Sequence, residues 1–180
     1  MHTPAERART VRYAVTLAEF LLGRPVRSVL DVGSGQGEWH GLLRGIRPRA
    51  RYVGVDPSAY AVRRFGSRRN LRQGGIEDLP KLGLRGPFDL VVSAGVLNYL
   101  PLPVLDRGLG HVAALLGGVA FLEIFAREDE IEGNTEGFDQ RPRAVYRRLL
   151  RRHGLTPCGP HAYVGRRLRR SLAAFESFPV

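Results

Sequence analysis

Lysine is almost missing from this chain. Lys81 stands against 27 arginines, so nearly all of the formal +11 charge is guanidinium. Such a skew reads as codon bias in a GC-rich genome rather than as a track built for phosphates. Charge alone therefore weighs less for nucleic acid than for solvated basic faces. Cysteine is equally scarce: Cys158 alone excludes an internal disulfide and a thiolate zinc cage. No apolar run approaches the ~18 residues of a membrane span. Residues 1–12 lack the apolar stretch of a signal peptide, so the expected address is a reducing cytoplasm. There is no repeat, no low-complexity tract and no interdomain linker. What is present is ordinary globular composition, 43% hydrophobic and 25% charged over 180 residues. One domain is expected, able to bury roughly 70% of its unfolded surface.

Thr3-Pro4-Ala5-Glu6 reads as a helix start, with Thr3 capping, Pro4 where no amide is needed and Glu6 closing a capping box. Tyr13, Ala14, Leu17 and Leu21 follow at helical spacing until Gly23 and Pro25 end the run. Buried strands are predicted at 26–32, 52–55, 70–74, 88–93 and 118–125. Helices are predicted at 39–45, 58–68 and 143–153, with a further apolar stripe of Leu105, Leu109, Val112 and Leu116. Residues 127–142 read as an acidic loop. Residues 155–164 and 168–175 read as a closing pair of strands. This alternation implies an α/β fold with a mainly parallel sheet covered on both faces.

The chemistry concentrates at Asp31-Val32-Gly33-Ser34-Gly35-Gln36-Gly37, a glycine turn that follows a strand and opens a helix. Asp56 ends the next strand, where a carboxylate accepts bonds from both hydroxyls of a ribose. Together they specify a nucleoside ligand. The dinucleotide pattern G-x-G-x-x-G fails, because Glu38 stands where its third glycine belongs. With Asp31 and Glu38 flanking the turn, a pyrophosphate is disfavoured and a cationic ligand is not.

An acidic residue followed by G-x-G-x-G resembles the first motif of the class I S-adenosylmethionine-dependent methyltransferases. YVGVDPS (residues 52–58), GGIEDLP (74–80), FDLVVSAGVLNYLP (88–101) and GGVAFLEIF (117–125) resemble the motifs that follow, in order. The resemblance covers residues 26–125. It implies a Rossmann-like three-layer sandwich with a seven-stranded, mostly parallel sheet and an antiparallel last strand. It implies an N-terminal lid helix at 1–24, a cofactor-binding core at 25–125, and a lid loop, helix and closing strands at 126–180. It implies S-adenosylmethionine as cofactor, giving S-adenosylhomocysteine, held by Tyr13, Asp31, Gly33, Ser34, Gly35, Asp56, Pro57, Gly75, Ile76, Glu77 and Ser93.

Two departures matter. Gly75 stands where relatives commonly place Asp for the adenine, and Asn98 where many place His. The (D/N)-P-P-(Y/F) motif of nucleic-acid amino methyltransferases is absent, replaced by Ser93-Ala94-Gly95-Val96. The expected partner is therefore a small-molecule acceptor, methylated at oxygen or nitrogen, with no metal. The alternatives are an RNA-binding methyltransferase, a non-catalytic cofactor-binding partner protein, or a nicotinamide-dependent oxidoreductase.

Trp39, Asn98, Tyr99, Glu123, His161 and Tyr163 form the expected substrate pocket. Each has a plain structural reading beside it: Trp39 as core, Asn98 as a helix cap, Tyr99 as a packed ring, Glu123 as a paired buried acid, His161 and Tyr163 as packing on one face of a late strand. No general base is assigned. Alignment alone accounts for much of the catalysis of a methyl transfer, and a base is needed only where the nucleophile must lose a proton.

Overall fold

The computed structural model describes residues 3–131 and 136–172. Helix α1 (Pro4–Leu22) starts as its sequence dictates. The Glu6 amide donates to Thr3 Oγ1 and the Thr3 amide to Glu6 Oε2 (3.2 and 2.7 Å). Gly23, at φ 64, ends it in the left-handed conformation that costs glycine nothing. Its inner face of Val11, Ala14, Val15 and Ala18 is buried against the sheet.

Strand β1 (Ser28–Val32), helix α2 (Glu38–Ile46), β2 (Arg51–Asp56), α3 (Ala59–Arg69) and β3 (Leu71–Gln73) build one half. Strand β4 (Phe88–Ser93), α4 (Leu102–Leu115), β5 (Leu116–Leu122), α5 (Arg143–Arg152), β6 (Thr156–Gly159) and β7 (Ala162–Val164) build the other. The sheet order is β3-β2-β1-β4-β5-β7-β6. All pairs are parallel except those of β7, which runs antiparallel to both β5 and β6. Alternate strand residues feed two cores. Val29, Leu90 and Val92 meet α1 and α2 on one face, and Leu30, Val32 and Val91 meet α4 and α5 on the other. The chain reverses direction across the sheet between β1 and β4. Their carboxyl ends therefore diverge and leave a crevice, the place where open α/β sheets bind ligands.

At the opposite edge Asp89 ties the strand starts together. Its carboxylate accepts both Arg24 guanidinium nitrogens (3.0 and 2.7 Å) and the Arg27 amide (2.7 Å). Beside it the β4–β5 register slips, Phe88 facing Leu116 but Leu90 facing Val119. Gly118 makes that slip possible, since a Cβ there would lie 2.0 Å from the Asp89 carbonyl oxygen.

The closing strands depart from expectation. Residues 155–164 fold back at Pro160 and His161 to give both β6 and β7. Proline supplies no ladder amide, and His161 adopts φ 54. The expected strand at 168–175 is, over its described part, a 3-10 turn at Arg169–Ser171. Four arginines around Leu168 leave it no apolar face to bury. Residues 173–175, like 132–135 of the acidic loop, lie outside the described residues. His161 therefore sits in the turn, not beside Tyr163 on one strand face. Strand β5 also ends at Leu122, before the expected residue 125. The Glu123 amide still donates to Ser93 (2.9 Å), and the chain then leaves the sheet.

Candidate functional site

A cavity of about 660 Å³ opens at the carboxyl ends of β1 and β4. Its floor is the glycine turn. The Gly33 and Ser34 amides both donate to the Val55 carbonyl (2.8 and 3.1 Å), and the Gly35 amide donates to Asp56 Oδ2 (2.7 Å). Asp56 Oδ1 accepts the Ser58 amide (2.9 Å). The carboxylate thus clamps the turn to the start of α3. Gly33 is required twice over: φ is 76, and a Cβ would come 2.3 Å from Val96 Cγ2. At Gly35, φ 53, the same construction meets nothing within 4 Å. The backbone there is open to a ligand.

Asp31 is buried at the cavity wall and accepts the Tyr52 hydroxyl at Oδ2 (2.6 Å). Burial pushes its carboxyl up from the usual 3.8 to about 7. The Tyr52 bond opposes that rise, while Asp56 and Glu38 add to it. Across the mouth Arg7 of α1 pairs with Glu38 of α2 (2.7 Å). The wall beyond the turn is Ala94 and Gly95 from the end of β4, then Glu123, which is 5% exposed. Trp39, Tyr99, Phe125, Ile131 and Phe138 complete it. Trp39 packs on Phe121 (ring centroids 5.8 Å) and Tyr99 meets Phe138 edge-on (4.7 Å).

Of the expected site residues, Asp31, Gly33, Ser34, Gly35, Trp39, Tyr99 and Glu123 line this cavity, with Asp56 bonded directly behind the turn. The others sit elsewhere. Ser93 is fully buried and its hydroxyl donates to the Val32 carbonyl (3.0 Å), joining the two strand ends. Pro57 and Glu77 are exposed and Ile76 is in the core. Gly75 lies next to Gly74, whose amide donates to the Asp56 carbonyl (3.0 Å). Tyr163 packs against the α4–α5 core, and the His161 ring contacts Phe121 and Phe125 (6.0 and 5.4 Å).

Tyr13 turns away from the cavity. Its ring meets Phe121 edge-on at 6.4 Å and its hydroxyl is buried near Gly159. Helix α1 presents Arg7 and Thr10 to the cavity instead. Two steps of three residues carry a helical side chain about 120° round the axis, so Arg7 and Tyr13 cannot share one wall.

Asn98 is not a cavity residue but a clip. Its Nδ2 donates to the Phe125 carbonyl (2.7 Å) and Tyr146 hydroxyl (3.1 Å), while its Oδ1 accepts the Phe125 amide (3.0 Å). Its own carbonyl accepts the Asp139 amide (2.8 Å). Phe125, Ile131 and Phe138 escaped sequence reasoning, because their segment is turned over the crevice by contacts distant in sequence, this clip among them and the Arg127 amide on the Arg141 carbonyl (2.9 Å) another.

A family model described as a methyltransferase domain matches residues 5–175. A trans-aconitate 2-methyltransferase from Deinococcus radiodurans is 35% identical over 112 residues. The match covers 59% of this chain and 41% of that protein, so the chain spans less than half of that relative's length. Among solved structures, the sugar N-methyltransferase KedS8 from a Streptoalloteichus species superposes with a TM-score of 0.66. It is 19% identical, with 87% of this chain and 86% of that one covered. The amino pentose methyltransferase CalS10 from Micromonospora echinaspora gives 0.64 at 17% identity, with 91% and 96% covered. With the strand order, the antiparallel β7 and the glycine turn at the switch point, the match over residues 5–175 decides the assignment: this chain belongs to the methyltransferase domain family, in its class I fold.

Proposed function

We propose that the protein transfers a methyl group from S-adenosylmethionine to a small-molecule acceptor, at oxygen or nitrogen. The observation that carries this reading is the glycine turn clamped by Asp56 through the Gly35 amide, next to the buried Asp31. The residues fit the cofactor's chemistry. A carboxylate offers about four acceptor sites. Backbone amides use two at Asp56, which leaves two for a pair of ribose hydroxyls. Asp31 and Glu38 supply the negative field that an ammonium and a sulfonium need and that a pyrophosphate would meet as repulsion. Gly75, Ile76 and Glu77, next along from Asp56, are the proposed adenine segment, with Pro57 beside the ribose. Ser93 holds the ends of β1 and β4 in register.

When bound, the cofactor supplies a methyl carbon already activated by positive sulfur. The chain's own work is alignment and exclusion of water. Arg7 and Thr10 of α1, with Ile131 and Phe138 of the 126–142 segment, narrow the cavity above the turn. Tyr13 then acts through packing on Phe121 rather than through contact. A polycarboxylate such as an aconitate matches poorly, since the described lining holds Asp31, Glu38 and Glu123 and, among the described residues, one cation, Arg7, which is already paired.

Thermal unfolding with added ligand tests the reading. S-adenosylhomocysteine at a hundred times its Kd should stabilise the protein by about 2.7 kcal/mol, and NAD or NADP should not. Asp56→Ala should weaken that ligand roughly 10- to 100-fold by calorimetry, since ribose hydroxyls and the Gly35 amide lose one acceptor together. Stabilisation by nicotinamide cofactors alone would overturn the assignment.

A further inference from the structure

We infer that the acceptor is an amine carried on an apolar body: it binds as its ammonium beside Glu123 and passes one proton to that carboxylate, which frees the nitrogen lone pair to take the methyl as the carbon–sulfur bond breaks; this rests on the cofactor reading above and names the substrate class of the same cavity. Three observations converge. Glu123 lines the cavity beside Gly95, 5% exposed, its Oε2 about one van der Waals contact (3.9 Å) from where a Cβ on Gly95 would stand. A carboxylate in so dry a place favours an ionised partner over a neutral one, because the Coulomb attraction is far less screened than in water.

The walls around it are rings. Tyr99, Phe125 and Phe138 line the same cavity, Tyr99 and Phe138 in edge contact at 4.7 Å. Aromatic faces attract an ammonium and accommodate apolar bulk at the same time. Apart from the Tyr99 hydroxyl they offer a carboxylate or phosphate no donor.

The third observation is the approach. The chain is strongly basic, yet the segment that supplies Ile131 and Phe138 is not. Among its described residues between 127 and 142 it carries five carboxylates, Glu128, Asp129, Glu130, Glu136 and Asp139, against two arginines. On a +11 protein this sets a negative field on the segment that lines the cavity through Ile131 and Phe138, where it concentrates cations and repels anions. Arg7, the one cation among the described lining residues, is paired with Glu38.

The experiment is a calorimetric titration of the full chain, with and without saturating S-adenosylhomocysteine. The probes are three compounds of one shape: phenethylamine, phenethyl alcohol and hydrocinnamate. The amine should bind at least tenfold more tightly than the alcohol, and hydrocinnamate should bind weakest. Glu123→Gln should reduce the amine's advantage over the alcohol to within about threefold while leaving S-adenosylhomocysteine binding unchanged. Equal affinities, a preference for the acid, absent amine binding, or an amine preference intact in folded Glu123→Gln would each overturn the inference. Because the cofactor product is titrated separately, its failure to bind would sink the cofactor reading by itself, independently of the ranking of the three probes.

Discussion

Asn98→Ala is expected to be among the most destabilising single substitutions in the molecule, costing about 3–5 kcal/mol. The side chain makes three hydrogen bonds at 2% exposure, two of them to the backbone of Phe125. Removing it leaves the half-buried Phe125 amide and carbonyl without this partner, while the Tyr146 hydroxyl loses Asn98 but keeps its bond to the Asp139 carbonyl (3.2 Å). Each orphaned group costs roughly 1–3 kcal/mol. The loss does not stop at stability. Phe125 forms a wall of the cavity, and the Asp139 amide bonds the Asn98 carbonyl one residue beyond Phe138. The wall and the returning arm of the acidic loop should therefore loosen together. Urea denaturation gives the first quantity, and amide exchange at Phe125 and Asp139 gives the second. Asn98→Asp retains the acceptor for the Phe125 amide but loses both donors and buries a charge, so it should not rescue. A loss below about 1 kcal/mol with unchanged exchange would show that the clip is not holding the wall.

That clip also marks where sequence reasoning ran out. Helix α1 was legible to the residue because its signals are local: a capping box, a proline at the first turn, a glycine after the last. The glycine turn and Asp56 were legible because a ligand-binding turn needs particular residue types at particular spacings. Strand β4 was legible as an apolar run with sharp ends. The closing hairpin was not, because the fold-back at Pro160 and His161 leaves strands of four and three residues, too short for an alternation to show. Nor was the role of Asn98, whose partners lie 27 and 48 residues away. The choice of Arg7 and Thr10 over Tyr13 depends on how α1 is rotated on β4 and β5, a tertiary quantity. The slip at Gly118 likewise depends on a carbonyl of the neighbouring strand. Local chemistry was readable; contacts made across long loops were not.

Asp31 should make apo stability and cofactor binding run in opposite directions with pH. Burial first, with Asp56 and Glu38 besides, pushes its native carboxyl up to about 7, whereas in the unfolded chain it returns to the usual 3.8. Below the lower value both states are protonated and no penalty exists. Between the two values the unfolded state ionises while the native state keeps its proton. Native stability therefore falls as pH rises through this window and levels off above about 7. The full loss is of the order of 4 kcal/mol. A cationic ligand reverses the preference, because it needs the ionised form. S-adenosylmethionine should bind more tightly as pH rises, approaching tenfold per pH unit below 7 and flattening above it. Asp31→Asn retains an acceptor for the Tyr52 hydroxyl and removes only the charge. Relative to the parent, the variant should gain stability at about pH 8, little at about pH 4, and show cofactor affinity that is at least tenfold lower and nearly flat with pH. Taking the difference between parent and variant cancels the other titrating groups. Parallel stability curves for the two proteins between about pH 4 and 8 would mean that Asp31 is already ionised in the free cavity. The acid beside the glycine turn would then be a fixed charge rather than one set by the ligand.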